Sequence, residues 1–369
     1  MKKILVLIMV LTLCVGCQNK KLETYSNTSI DAGFDTFITI QAQAESQEKF
    51  DEIFTISIDK FKELNQYFDI YHTYEGVNNL KTINDQAGIA PVEVDQSIID
   101  MLNVAKEFYD LSDGELDITM GALLKVWHKY REEGLLYMNE GEFGRIPSLE
   151  ELEAAKACSG WNNIEIDDEK NTVYINNPCV SLDVGGIAKG FAAESIATEL
   201  ESIGVTTGVV NAGGNTRTIG TKQGDKPWRV QIENPEANGT TLVVESKGTA
   251  SFVTSGDYQR YYIAEDGKFY HHIIDPRTNF PADHFHSVTI ITPNSAVADA
   301  LSTTLFTLPY EEGLALINKY NNEHPDAPVS AVWLMDPNQE VLSENTMMAG
   351  NYLCVYTDNL KDSIELITK

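Results

Sequence analysis

The spacing of apolar residues along the chain changes several times, and each change marks an element. In "DTFITIQAQ", Ile38, Ile40 and Ala42 alternate with polar neighbours, as the inner face of a half-buried strand does. The period then lengthens. Through "KFDEIFTISIDKFKELNQYF", Phe50, Ile53, Phe54, Phe61, Leu64 and Phe68 recur at steps of three to four, one apolar stripe of an amphipathic helix. A further helix is predicted over "QSIIDMLNVAKEFYDLSDG", with Asp95 to cap its start and Gly114 to take the left-handed turn after its end. "SLEELEAAKAC" opens on a capping box, Ser148 with Glu151. Strand-like runs "TVYI", "TGVVNAGG", "WRVQIENP", "TLVVES" and "HSVTIITP" then alternate with helices at about 187–203, 295–308 and 310–320. There is no internal repeat, low-complexity tract or internal linker. The fold class expected is α+β: one large domain over residues 30–369, with a mixed β-sheet and flanking helices.

The N-terminus departs from this pattern. In "MKKILVLIMVLTLCVGCQNK" two lysines precede an apolar run, Ile4 to Leu13, too short to span a bilayer as a mature helix, which is the form of a secretory signal. Small residues before Cys17 resemble the processing site of bacterial lipoproteins. On that reading residues 1–16 are a signal peptide, Cys17 is lipidated, and the polar residues 17–29 are a tether on the outer face of the cytoplasmic membrane. An ordinary signal peptide with incidental cysteines is the alternative. The remaining cysteines, Cys158, Cys179 and Cys354, are odd in number and at no metal-like spacing, so no disulfide framework is implied and each is expected to pack as a small apolar residue.

Charge narrows the partners. With 55 acidic against 27 basic residues the formal charge is -28, which argues against nucleic acid or anionic headgroups as ligands. It also means that a phosphorylated ligand needs local positive charge, and a bound cation is a compact source.

Four segments concentrate unusual chemistry. "SLDVGGIAKGFAAE" is a strand that turns through Gly185 and Gly186 into a helix, yet it has neither the P-loop nor the dinucleotide-fold spacing. Such a turn exposes backbone amides and carbonyls to a ligand, or is simply a tight connection. "VVNAGGNTRTIG" again runs a strand into paired glycines, which a turn explains equally well. "HHIIDPRT" follows a hairpin turn "EDGK"; His271 and His272, adjacent on a strand, would point to opposite faces, so one at most reaches a site, and Arg277 is a candidate to orient a phosphate or carboxylate. In "SAVADALSTTLFTL", Val297, Leu301, Leu305 and Leu308 form a buried stripe while Asp299, Ser302, Thr303 and Phe306 share another face. Asp299 and Thr303 are one turn apart, and a carboxylate beside a hydroxyl suits a hard cation such as Mg²⁺.

In order along the chain, "DITMGAL", "SLDVGGIAKGFAAE", "VVNAGGNTRTIG", "WRVQIENP", "SGDY", "HHIIDPRTNFPA" and "SVTIITPNSAVADALST" resemble the ApbE family of FAD:protein FMN transferases over nearly the whole mature chain. The resemblance implies a Mg²⁺-dependent attack of a Ser or Thr hydroxyl of a partner flavoprotein on the FAD pyrophosphate, leaving FMN on the protein and releasing AMP. It further implies that Gly186, through its carbonyl, joins Asp299 and Thr303 around the metal, and that Asp183 and Lys189 contact the flavin nucleotide. Ile273 matches a hairpin contact, Tyr71 an aromatic neighbour of FAD, and Asp117, Ile118 and Thr119 the segment lining the nucleotide. Phe34 stands where a methionine is frequent, and His272 matches a histidine able to take the acceptor's proton. The chain departs from the family pattern in its length between Tyr71 and Asn84 and at Asn279, where glycine is usual. Two other readings stay open: a Mg²⁺-dependent FAD pyrophosphatase, and a lipid-anchored flavin-binding protein without turnover.

Overall fold

The computed structural model describes residues 21–236 and 240–368, so the signal segment and Cys17 lie outside the described residues. Eight α-helices are found among them: α1 (Gln47–Phe68), α2 (Leu80–Asp85), α3 (Gln96–Leu111), α4 (Gly121–Asn139), α5 (Leu149–Lys156), α6 (Ala188–Ser202), α7 (Ser295–Thr307) and α8 (Tyr310–Glu323). The periodic stripe of α1 is its buried face, with Phe50, Phe61, Leu64 and Phe68 in the core and Ile53 and Phe54 half-buried against it. Asp95 caps α3 by accepting from the Ser97 amide, and Gly114 takes φ +94° beyond its end. At α5 half of the capping box forms. Ser148 accepts from the Glu151 amide at 3.2 Å, while the Glu151 carboxylate accepts from the Tyr130 hydroxyl at 2.9 Å.

The main sheet has nine strands in the order Glu23–Ser29, Ile38–Ala44, Gly208–Ala212, Asn215–Ile219, Ala250–Gly256, Ser287–Thr292, Ser330–Met335, Tyr352–Tyr356 and Thr346–Ala349. The α+β class is as expected, but the sheet is antiparallel at every pairing rather than mixed. The reason lies in the connections. Strands Ser287–Thr292 and Ser330–Met335 are fully buried apolar runs of the kind found in parallel sheets. Two helices, α7 and α8, join them, and a second helix reverses the chain once more than a single crossover does. Gly213 and Gly214, at φ +55° and +97°, make the tight hairpin between Gly208–Ala212 and Asn215–Ile219.

Three further expectations are corrected. Residues 23–29 are not tether: Glu23–Ser29 pairs along its whole length with Ile38–Ala44 as an edge strand. Its side chains are mostly exposed and polar, which blunts an edge against aggregation and leaves no apolar period to read. Helix α7 does not have one buried stripe. It packs between α6 and strands Ala250–Gly256 and Ser287–Thr292, and only Val297 and Thr303 keep partial access. Finally, Cys158 and Cys179 form a disulfide, with Cα atoms 5.3 Å apart across 21 residues, leaving Cys354 as a buried free thiol. The hairpin Ile164–Asp167/Thr172–Ile175 folds the intervening chain back on itself and brings the two cysteines together. Closing a loop of this length stabilises a domain by about 3 kcal/mol. The Cys158→Ser/Cys179→Ser pair is therefore expected to lower unfolding free energy by that order in urea titration; an unchanged midpoint would mean the bridge holds nothing.

Candidate active site

The turn at 185–186 is held from two sides. Asn84 grips the segment before it, its amide donating to the Leu182 carbonyl at 3.0 Å and its carbonyl accepting from the Leu182 amide at 2.7 Å. From the other side the Ile118 carbonyl accepts from the Asp183 amide at 2.8 Å, and the Gly121 amide donates to the Ser181 carbonyl at 3.0 Å. After the turn, α6 starts where it crosses α7. At the crossing the Gly190 amide donates to Asp299 Oδ2 at 2.7 Å. A Cβ at Gly190 would lie 2.3 Å from both Asp299 Cβ and the Ser295 carbonyl oxygen, so only glycine allows the approach. One turn later Thr303 Oγ1 is 3.3 Å from the Gly186 carbonyl oxygen. Asp299, Thr303 and Gly186, three oxygen donors from two distant segments, thus meet at one place. A buried ion pair fixes the crossing: Arg217 holds Glu194 through Nε and Nη2 at 3.0 and 2.9 Å, and Glu194 accepts from the Ser295 amide at 2.6 Å.

Burial dominates the electrostatics here. It raises the Asp299 carboxyl above its usual range, opposed by Lys189, the Gly190 amide and the nearby Asn215. Burial raises Asp183 likewise, against the Gly185 amide, His128 and Arg131. His272 is pushed down to about 3, first by burial and then by the charges of His271, Arg131, Arg260 and Lys189. It is therefore a neutral imidazole, and its buried Nδ1 has no hydrogen-bond partner among the described residues. His271 is a different case. Its Nε2 donates to the Ala282 carbonyl at 2.7 Å, its Nδ1 accepts from the Ile273 amide at 3.2 Å, and its ring meets Phe306 edge-on at 5.6 Å. Both histidines lie just past the strand Phe269–Tyr270 rather than on it, and only His271 has both ring nitrogens engaged.

The other candidates divide between accessible and bracing positions. Tyr71 is 56% exposed, with its ring 5.6 Å from that of His128. Burial and then Asp183 raise its hydroxyl, which places it beside the turn. Lys189 is half-buried next to both Asp299 and His272. Thr119, by contrast, is fully buried and its hydroxyl is used twice, donating to Asp117 Oδ1 and accepting from the Gly160 amide, both at 2.6 Å. Asp117, Ile118 and Thr119 accordingly brace the turn. Phe34 adopts φ +57°, its amide bonds Asn65 Oδ1 at 2.8 Å, and its ring meets Phe61. Ile273 is buried, and its backbone is used by His271 and Ala282. Arg277 is not free to orient a ligand: Glu115, Asp275, Glu312 and the Thr307 carbonyl share its guanidinium.

Three site residues escape the motifs. Arg131 bonds His128 Nδ1 at 2.8 Å, and burial followed by Arg260 holds its guanidinium below the ordinary value. These cations give the surroundings of His272 local positive charge on a chain of net charge -28. The signal was present in α4, where His128 and Arg131 stand three apart on one face, but no spacing rule marks Arg260. Of two cavities of about 210 and 400 Å³, one lies beside Trp228 and the other beside Phe108 and Glu194, and neither is lined by Gly186, His272, Asp299 or Thr303.

In this α+β domain a glycine turn, a helix crossing and a neutral histidine converge on one candidate site. The family model described as the ApbE family matches residues 34–326, and the chain belongs to that family. A FAD:protein FMN transferase of Treponema pallidum is 33% identical over 293 residues, covering 75% of this chain and 76% of its own length. One from Haemophilus influenzae is 31% identical, covering 68% and 71%. Among solved structures, the ApbE protein of Thermotoga maritima superposes with a TM-score of 0.71 at 32% identity, covering 84% of this chain and 94% of that one. The flavin transferase ApbE of Vibrio cholerae, at 23% identity, shares the fold with a TM-score of 0.72.

Proposed function

We propose that this chain transfers FMN from FAD to a Ser or Thr hydroxyl of a partner protein, with Mg²⁺ bound and AMP released. One observation carries the reading: Asp299, Thr303 and the Gly186 carbonyl converge at the helix crossing, in the same site as a half-buried, neutral His272. The donor set fits a hard cation, being one carboxylate, one hydroxyl and one carbonyl, with water and phosphate oxygens to complete six ligands. Bound Mg²⁺ would draw negative charge from the pyrophosphate oxygens and make phosphorus easier to attack.

The remaining chemistry falls to the chain. The acceptor oxygen attacks the phosphorus on the FMN side, the bond from that phosphorus to the bridging oxygen breaks, and AMP leaves with that oxygen. The neutral imidazole of His272 accepts the hydroxyl proton. Lys189, Arg131 and Arg260 surround it with positive charge. The Cys158–Cys179 bridge supports placement outside the cytoplasm, where disulfides persist, and so agrees with lipidation at Cys17 and an outer-face location. The test is incubation with FAD and Mg²⁺, with and without a candidate acceptor, following AMP and covalent flavin fluorescence. Labelled acceptor with stoichiometric AMP is expected. AMP without labelling would favour hydrolysis, and FAD binding without AMP would favour a carrier.

A further inference from the structure

We propose that the protein stands on the membrane on the end of the sheet from which its N-terminus emerges, with the phosphate of an anionic phospholipid seated between Lys222 and Lys226. Lipidation at Cys17 is the part of the preceding reading on which this depends.

The edge strand fixes where the anchor lies. Glu23 pairs with Ala44, so only residues 18–22 separate the fold from Cys17. Fully extended, that segment reaches about 20 Å, whereas a domain of this length is about 50 Å across. The bilayer surface therefore lies near the strand ends at Thr24 and Gln43 and out of reach of the opposite pole.

Several segments meet at that end. The Gln43 amide donates to the Thr207 carbonyl at 3.0 Å, and the Thr207 hydroxyl donates to the Thr221 carbonyl at 3.1 Å. Beside them opens the cavity of about 210 Å³, whose walls include Thr24, Gln43, Thr207, Lys222, Lys226 and Trp228. Both lysines are exposed, and Lys222 lies over the Trp228 ring at 5.7 Å. Among the described residues no carboxylate lines this cavity, in a chain with 55 acidic and 27 basic residues. The acids nearest in sequence face elsewhere: Asp225 meets Lys247 at 3.9 Å, and strand alternation puts Glu23 on the other face of the sheet from Thr24. Lys20 and Lys21 add two cations beside the anchor in sequence. Leu22, and Ile203 in the loop that leads to Thr207, are 38% and 51% exposed and supply apolar side chains at the same end. Lysines with a few apolar side chains beside a lipid anchor suit a surface that rests on anionic headgroups. The net charge of -28 argues against such headgroups for the surface as a whole, so repulsion of the rest and attraction of this end act together to orient the domain.

The reacting groups lie at the other end. Strand Ile38–Ala44 starts beside the Gly213 hairpin, where a Cβ on Gly213 would lie 1.8 Å from Thr36 Oγ1, and finishes at the cavity. Helix α6 likewise begins where the Gly190 amide meets Asp299 and ends at Ser202, just before the loop that reaches Thr207. Its 15 residues span about 22 Å, so the glycine turn is carried about that far above the headgroups. A partner held in the same membrane then has to present its hydroxyl at that height.

The test reconstitutes the mature lipidated protein into nanodiscs of phosphatidylcholine with or without phosphatidylglycerol, the probe anion. A fluorescent thiol dye is placed at Ile203→Cys or, at the opposite end, at Phe37→Cys, a position 66% exposed in the wild type. Among the described residues the free thiol, Cys354, is buried. Quenching by lipid-borne nitroxides then reports which end touches the bilayer. With phosphatidylglycerol, quenching is expected at Ile203→Cys and not at Phe37→Cys. Adding Lys222→Glu/Lys226→Glu to Ile203→Cys is expected to weaken the quenching about threefold or more, with FAD turnover in detergent unchanged. Equal quenching at the two positions, or quenching indifferent to the charge reversal or to phosphatidylglycerol, would overturn the headgroup seat. A mature chain without lipid on Cys17, read by mass spectrometry, would overturn the anchor reading and this orientation with it, while leaving the transfer reading standing.

Discussion

Asp299→Asn abolishes Mg²⁺-dependent turnover, by roughly 10²–10³-fold or more, while the protein stays folded. Asparagine is the informative replacement because it keeps an acceptor oxygen for the Gly190 amide, which Asp299 Oδ2 now takes at 2.7 Å. Alanine would strand that buried amide at a cost of about 1–3 kcal/mol and mix a folding defect with a catalytic one. The same residue predicts how metal and pH act on stability. Burial raises the Asp299 pKa in the metal-free protein above its unfolded value. Its contribution is then fully present below the unfolded pKa and lost as pH rises through the folded one, so near neutral pH the ionised carboxylate destabilises the metal-free state. A cation that pairs with it reverses this. Mg²⁺ is expected to raise the melting temperature most at pH 8, progressively less as Asp299 protonates, and not at all in Asp299→Asn. Equal stabilisation of both proteins by Mg²⁺ at pH 8 would place the ion elsewhere.

What could be read from the residues, and what could not, follows the range of the interactions. The stripe of α1, the Asp95 cap and the Asp299–Thr303 pair involve residues within a turn of each other, so spacing reveals them. Gly186 joining that pair across 117 residues was reached through family resemblance, since no local pattern encodes a contact at such separation. The direction of the strands was hidden because it depends on whether one helix or two intervene. The edge strand Glu23–Ser29 was hidden because a strand with its side chains mostly in water has no reason to alternate. The disulfide was missed because an odd cysteine count says nothing about which two meet, and the meeting is arranged by a hairpin between them. Arg131 and Arg260 carry no motif. Only the folded chain brings them into the surroundings of His272.

His272 is the second residue whose replacement has a large effect. His272→Gln lowers transfer by roughly 10²–10⁴-fold and leaves FAD affinity near wild type, because the imidazole acts on the acceptor's proton rather than on the dinucleotide. Parallel losses in rate and FAD affinity would make it a binding residue. Its lowered pKa, about 3, means that transfer is not expected to fall off near pH 6.5, as it would for an ordinary histidine base. The stability consequence runs the other way from that of Asp299. A histidine buried neutral contributes stability that is fully present above its unfolded pKa and is lost as pH falls below it, up to about 1.4 kcal/mol for each pH unit between about 6.5 and 3. His271 is lowered in the same direction, again chiefly by burial, and adds to the acid sensitivity. Urea unfolding at pH 7 and pH 5 separates the two: wild type is expected to lose up to about 2 kcal/mol more than His272→Gln over that interval. Parallel losses in both proteins would mean that His272 is already solvated and charged at pH 5, and a base of that kind would show its titration in the transfer rate as well.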